Sequence, residues 1–209
     1  MNGELDFADI FARIAQLEEV YDELNDSINR TMLQTGLRCL PGCRSCCETP
    51  SSNIEVSILE FLPLSMHLWQ NDKAGQLLEI LELKTEDDPC VLLQNDTTLL
   101  PEGGCSHYGF RPLMCRLFGF SAMIGRDGFP SPVICKLVKV NYPDIMRKVV
   151  DSVNGGLDIA VFSNFARRVK GIDPYLAERV YPINQALKKA IEFIGLRWHF
   201  GSLGYDKPA

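Results

Sequence analysis

Residues 39–47 read Cys39-Leu40-Pro41-Gly42-Cys43-Arg44-Ser45-Cys46-Cys47, four cysteines in nine positions. Gaps this short let successive thiolates converge on one centre without help from distant parts of the chain. Free cysteines acting as small buried hydrophobes would sit among apolar residues. Here they are flanked by Pro41, Gly42, Arg44 and Ser45, so the stretch reads as an irregular metal-binding loop. In an extended backbone the adjacent Cys46 and Cys47 point in opposite directions and can serve different centres. Eight cysteines then divide into two four-thiolate sites, or into one four-ligand cluster and a second centre, and the spacing does not choose.

The other four cysteines are Cys90, Cys105, Cys115 and Cys135. The opening MNGELDFADIF lacks the basic and apolar regions of a secretory signal. No apolar run approaches the roughly 18 residues of a membrane span, so a cytoplasmic protein with no membrane contact is expected. In a reducing compartment the eight cysteines read as metal ligands before they read as disulfides. Thiolate ligation suits Zn²⁺ or an iron–sulfur cluster such as [4Fe–4S], and ligand type alone does not separate the two. Of three histidines, His107 alone lies near the cysteines, as a candidate ligand or a hydrogen-bonding group; His67 and His199 fall in helical stretches. Asp87-Asp88 offers oxygen ligands beside Cys90 or a solvated turn. A net charge of −6 argues against a nucleic-acid partner, which needs a basic face.

With 209 residues, 46% of them hydrophobic, the chain can build one substantial core, and a single domain over 1–209 is expected. Its parts are an N-terminal helix (1–36), a cysteine-cluster region (37–140) and C-terminal helices (141–209). Ile10, Ile14, Leu17, Tyr21, Leu24 and Ile28 form one helical stripe, widened by Phe11 and Val20, and Gly36 stops it. Such a stripe can pack on the chain's own core or form a coiled-coil homodimer. Ser52 and Glu55 make a capping-box pattern for a helix carrying Ile54, Ile58, Phe61 and Leu62, interrupted near Pro63. A helix is predicted over 74–83, and short strands at 90–93 and 97–100 about Asn95-Asp96. Residues 104–120 read as a loop entering a short helix. Asp127-Gly128 marks a hairpin within 121–140, with Cys135 on its returning strand. Leu157, Val161, Phe165 and Val169 share one later helical face, and Val180, Ile183, Leu187, Ile191, Ile194 and Trp198 another; Asp173-Pro174 and Pro182 open helices. The fold expected is mainly α (α+β), helical with one or two short hairpins and an irregular cysteine-rich middle.

Three blocks carry a family likeness: CRSCCE from Cys43, Cys90 in PCVLL, and CSHYGFRPLMCRLFGF from Cys105, with Cys135 completing the set. They resemble the YkgJ-type or CxxCxxCC zinc- or iron-chelating cysteine-cluster proteins. The likeness implies a chelating domain in which all eight cysteines are ligands, with no reaction attached. Two details differ: three residues separate Cys39 from Cys43, and Gly119 stands where the family often has proline. Arg111 and Arg116 are the candidate cofactor-binding residues, because guanidinium donors can hydrogen-bond thiolate or sulfide and offset negative charge. The primary functional reading is an iron–sulfur redox or electron-transfer protein with a protein redox partner. The alternatives are a zinc-stabilised protein-interaction module and a metal-dependent enzyme, such as a relative of the larger flagellin lysine methylases that carry a similar segment.

Overall fold

The structure, a computed structural model, describes residues 7–40, 43–94 and 104–201. It is mostly helical with two small antiparallel sheets, the mainly α (α+β) class expected. Helix α1 (Phe7–Thr35) buries Ile10, Ile14, Leu17, Val20, Tyr21 and Leu24. That stripe is covered by the chain's own α2 (Leu62–Gln70), α6 (Pro143–Asn154) and α7 (Phe162–Ile172), which uses up the face a coiled coil would need. Phe11 lies outside the buried face and stacks on Phe7. In its last turns the stripe becomes polar: Thr31 and Thr35 donate to the carbonyls four residues back. Gly36, at φ +78°, then ends the helix, and its N–H reaches the Met32 carbonyl.

Residues 54–62 do not form the expected capped helix. A 3₁₀ turn (Ser51–Asn53) leads into β1 (Glu55–Ser57), which pairs antiparallel with β4 (Val180–Pro182), Val56 opposite Tyr181. The β-branched Val56 gains more from that distant partner and burial than Glu55 gains from capping. Helix α2 therefore begins at Leu62, and Pro63 opens it instead of interrupting it. Helix α3 (Ala74–Glu82) falls where predicted. Residues 90–93 form a turn, not a strand, with Leu93 N–H on the Cys90 carbonyl; Leu93 instead bridges Cys105. The strand predicted over 97–100 lies outside the described residues.

Strands β2 (Ser121–Ile124) and β3 (Pro130–Val133) form the expected hairpin, turning through Gly128 at φ +82°. Cys135 lies just past it, as the residue preceding α5 (Lys136–Asn141). Helix α7 starts at Phe162, so Leu157 belongs to the preceding turn and not to its face. Asp173 caps α8 (Pro174–Ala177) through Leu176 N–H, and α9 (Ile183–Gly201) packs on α2 and α3. Val180 belongs to β4, half-exposed, whereas Ile183, Leu187, Ile191 and Ile194 are buried. No helix among the described residues is long and apolar enough to cross a membrane.

The buried residues form three groups. The first lies between α1, α2, α7 and α8. The second joins α2, α3 and α9, and Cys90, Cys105 and Cys115 pack against it. The third sits under the β2–β3 hairpin, α5 and α6; it includes Leu37, and Cys135 packs against it.

Candidate metal centre

Leu37, 1% exposed, plugs into the third core group and so fixes where Cys39, two residues on, leaves the core. Cys46 and Cys47 lie in a turn, with Cys47 N–H on the Arg44 carbonyl at 2.7 Å. The extended backbone assumed from the sequence is absent, and the two Sγ atoms approach to 3.9 Å. Arg44 pairs with Glu48 at 2.6 Å and donates to the Gln94 carbonyl at 3.1 Å, bolting this turn to the segment after Cys90. A Cβ on Gly104 would meet Arg44 Cβ at 2.9 Å, so that position has room only for glycine.

Cys90 is clamped from α9: Asn184 Oδ1 accepts from Val91 N–H at 2.8 Å, and its Nδ2 donates to the Pro89 carbonyl at 3.1 Å. Cys105 is tied to the same segment through Gln94 N–H on the Gly104 carbonyl and Ser106 N–H on the Leu92 carbonyl. Cys115 rides on the five-residue α4 (Leu113–Leu117), whose first N–H, from Leu113, donates to buried Glu60 at 2.8 Å. Gly119, at φ +84°, approaches Cys135 so closely that a Cβ would lie 3.3 Å from Cys135 Cβ. Proline, confined to negative φ, cannot take that conformation.

Glu60 and Asn184 were not singled out from the sequence. Glu60 had a signal: a charge inside the apolar run Leu59-Glu60-Phe61-Leu62 must find partners when buried. Asn184 had only the weak signal of one polar residue opening an apolar helical face.

All eight cysteines are free thiols; Cys39 and Cys46 are exposed and the other six partly buried. Partial loss of water around its sulfur, then the charges of Cys46, Cys43 and Cys135, push the Cys39 thiol up to about 11. Burial pushes Cys90 up to about 12. Cys105 is raised by burial, and Cys115 by burial and the charges of Cys90 and Cys105. Cys47 donates its S–H to Cys46, which raises Cys47 and lowers Cys46 to about 7. Each thiolate thus hinders the next from ionising, a conflict that a cation among them relieves.

The two arginines take different posts. Arg111 stacks on Tyr108 at 3.4 Å, donates to the Tyr108 and Cys115 carbonyls, and its charge favours the thiolates of Cys39, Cys46, Cys105 and Cys115. Arg116 is 9% exposed and turned toward α1, over the Tyr21 ring. Its donors go to Asn25 Oδ1 and to the carbonyls of Arg111 and Gly109. It clamps the turn preceding α4 and has no hydrogen bond to a thiol.

His107 and Asp88 are engaged elsewhere. His107 hydrogen-bonds Ser106 Oγ at 2.9 Å and faces His67 and Phe110. Asp88 accepts from the Thr85 N–H and hydroxyl, each at 2.8 Å, as a solvated turn would. As placed, no three Cys, His, Asp or Glu side chains among the described residues are grouped so as to hold an ion. The chemistry of the donors in this region, thiols with one guanidinium, fits a soft metal or an iron–sulfur cluster.

Cysteine-bearing loops braced by a helical frame and its core define a metal-chelating cysteine-cluster protein. Residues 38–141, about half of the chain, match the CxxCxxCC family, described as "Putative zinc- or iron-chelating domain", and the chain belongs to that family. A curated relative, "Uncharacterized protein MJ0939" of Methanocaldococcus jannaschii, is 32% identical over 113 residues, 52% of this chain. That stretch spans 39% of the relative's own length. No solved structure matches the chain.

Proposed function

We propose that the cysteine region holds an iron–sulfur cluster through cysteine thiolates and that the protein transfers electrons to a protein partner in a reducing, cytoplasmic setting. The observation that carries this reading is the composition of the site: thiols as the donors, the Arg111 charge acting on four of them, and His107 turned away toward His67. A bound cluster supplies the redox couple. The chain's own residues supply the rest. Arg111 offsets thiolate charge, the second core group keeps water from Cys90, Cys105 and Cys115, and exposed Cys39 and Cys46 leave one edge within reach of a partner.

Anaerobic purification followed by iron, acid-labile sulfide and visible-absorbance measurements tests this. Brown protein with matching iron and sulfide is expected. Colourless protein with stoichiometric zinc overturns it.

One observation favours a zinc-stabilised interaction module instead. The β2–β3 hairpin beside Cys135 exposes Met123, Ile124 and Phe129, apolar side chains that suit a protein contact. That reading predicts that a chelator unfolds the protein and that no redox couple is present.

A further inference from the structure

We propose that Cys46 and Cys47 form a bidentate dithiol site that captures a soft trivalent atom carrying its own third substituent, as a monosubstituted organoarsenical does. The site needs two protein ligands and no more, so it stands whichever metal the region binds.

The geometry comes from the turn. In an extended backbone adjacent side chains point apart, whereas in a turn wound like a helix they diverge by only about 100°. Cys47 N–H and Glu48 N–H both donate to the Arg44 carbonyl, at 2.7 and 3.2 Å, which winds this stretch in that way. The resulting 3.9 Å Sγ···Sγ approach is the one thiol–thiol hydrogen bond among the described residues. Two bonds of the roughly 2.3 Å that a metal–thiolate bond measures span at most about 4.6 Å between sulfurs. One soft atom placed between Cys46 and Cys47 therefore touches both, at an angle a little wider than tetrahedral.

Groups other than the thiols hold this spacing. Arg44 pairs with Glu48 at 2.6 Å and donates to the Gln94 carbonyl at 3.1 Å, so the turn keeps its shape without a bound ion. Cys46 is exposed and Cys47 partly buried, so a reagent from solution meets Cys46 first and Cys47 closes the chelate. With phenylarsine oxide, the two S–H groups give up their protons, the oxide oxygen leaves with them as one water, and two As–S bonds form. Arsenic stays trivalent, so no oxidant or reductant takes part. The phenyl group fills the third position, where a bare ion would need a further thiol.

Phenylarsine oxide, added at one equivalent per chain to the reduced, metal-free full chain, tests the site, with circular dichroism as a check on folding. Labelling with N-ethylmaleimide is then read on the tryptic fragment 45–73, which contains these two cysteines and no other. More than half of that fragment should stay unlabelled at both cysteines, a larger share than for any fragment bearing the other six, and 2,3-dimercaptopropanol should restore labelling. In Cys46→Ser and in Cys47→Ser the remaining cysteine should be labelled fully, because a single As–S bond exchanges readily. Preferential filling of another pair, protection of only one of the two, or protection that persists in either single variant would each overturn the site. Equal protection in urea-unfolded chain would overturn it too, since the turn would then contribute nothing. So would a metal-free chain that has lost its helical signal, because the turn must hold its shape without an ion.

Discussion

Replacing Glu60 with glutamine should destabilise the protein by about 2–4 kcal/mol, although the side chain barely changes in size. Glu60 is 8% exposed and accepts four hydrogen bonds. One oxygen takes Ser57 N–H at 3.0 Å and Ser57 Oγ–H at 2.7 Å; the other takes Leu113 N–H at 2.8 Å and Tyr21 O–H at 3.2 Å. Each oxygen therefore serves one backbone N–H and one hydroxyl. Glutamine presents one oxygen and one NH₂. The hydroxyls can turn to accept from the amide, but whichever way it is flipped one backbone N–H faces a donor. An unpaired buried N–H costs about 1–3 kcal/mol, and losing the charge from the surviving bond costs roughly 1 more. Equilibrium urea unfolding followed by circular dichroism measures the sum. Because Leu113 opens the helix carrying Cys115, metal content should fall too. A loss under about 0.5 kcal/mol would refute the capping role, and unchanged metal content would refute its link to the site.

Three further outcomes are expected. Gly119→Ala forces a β-carbon into a left-handed backbone 3.3 Å from Cys135 Cβ; a loss of about 1–2 kcal/mol in thermal melting, with reduced metal content, should follow. Asn184→Ala frees both bonds bracketing Cys90 and should cost about 1–3 kcal/mol in urea unfolding, again lowering bound metal. In metal-free protein Cys46, lowered to about 7 by the S–H of Cys47, should alkylate half-maximally near pH 7 and faster above it. Cys90, raised by burial to about 12, should stay unreactive until strongly alkaline pH. Arg111→Met should move the Cys46 midpoint upward, and peptide mapping by mass spectrometry reads each site.

Helices with a long apolar period were legible because their signal is local: α1, α3 and most of α9 fall where their spacing places them. The β1–β4 pair was not. Its three-residue strands are joined across most of the chain, with Ser57 opposite Val180, and nothing near Glu55 announces a partner so far away. The capping-box pattern at Ser52 and Glu55 is a local preference of about 1 kcal/mol, and it lost to burial of Val56. Cys135 was misplaced by a smaller margin, because a strand end and a helix start are separated by only two residues there.

In the candidate site the cysteines and Arg111 were legible as types, because crowded thiols and a guanidinium have few other uses. Their supports were not, since Glu60 and Asn184 act across the fold on backbone groups beside Cys115 and Cys90. This separation has a physical reason. Thiolates crowded together repel one another, so the segments bearing them gain little from each other before a cation arrives. Something else must hold those segments at the right place meanwhile. Leu37 in the third core group, Arg44 on Gln94, Asn184 around Cys90 and Glu60 under α4 do so through ordinary packing and hydrogen bonds. Arg116 serves in the same way, although its position one residue from Cys115 suggested a role at the metal. Each of its three nitrogens holds a partner in α1 or in the turn before α4, so it fixes the turn that carries Arg111.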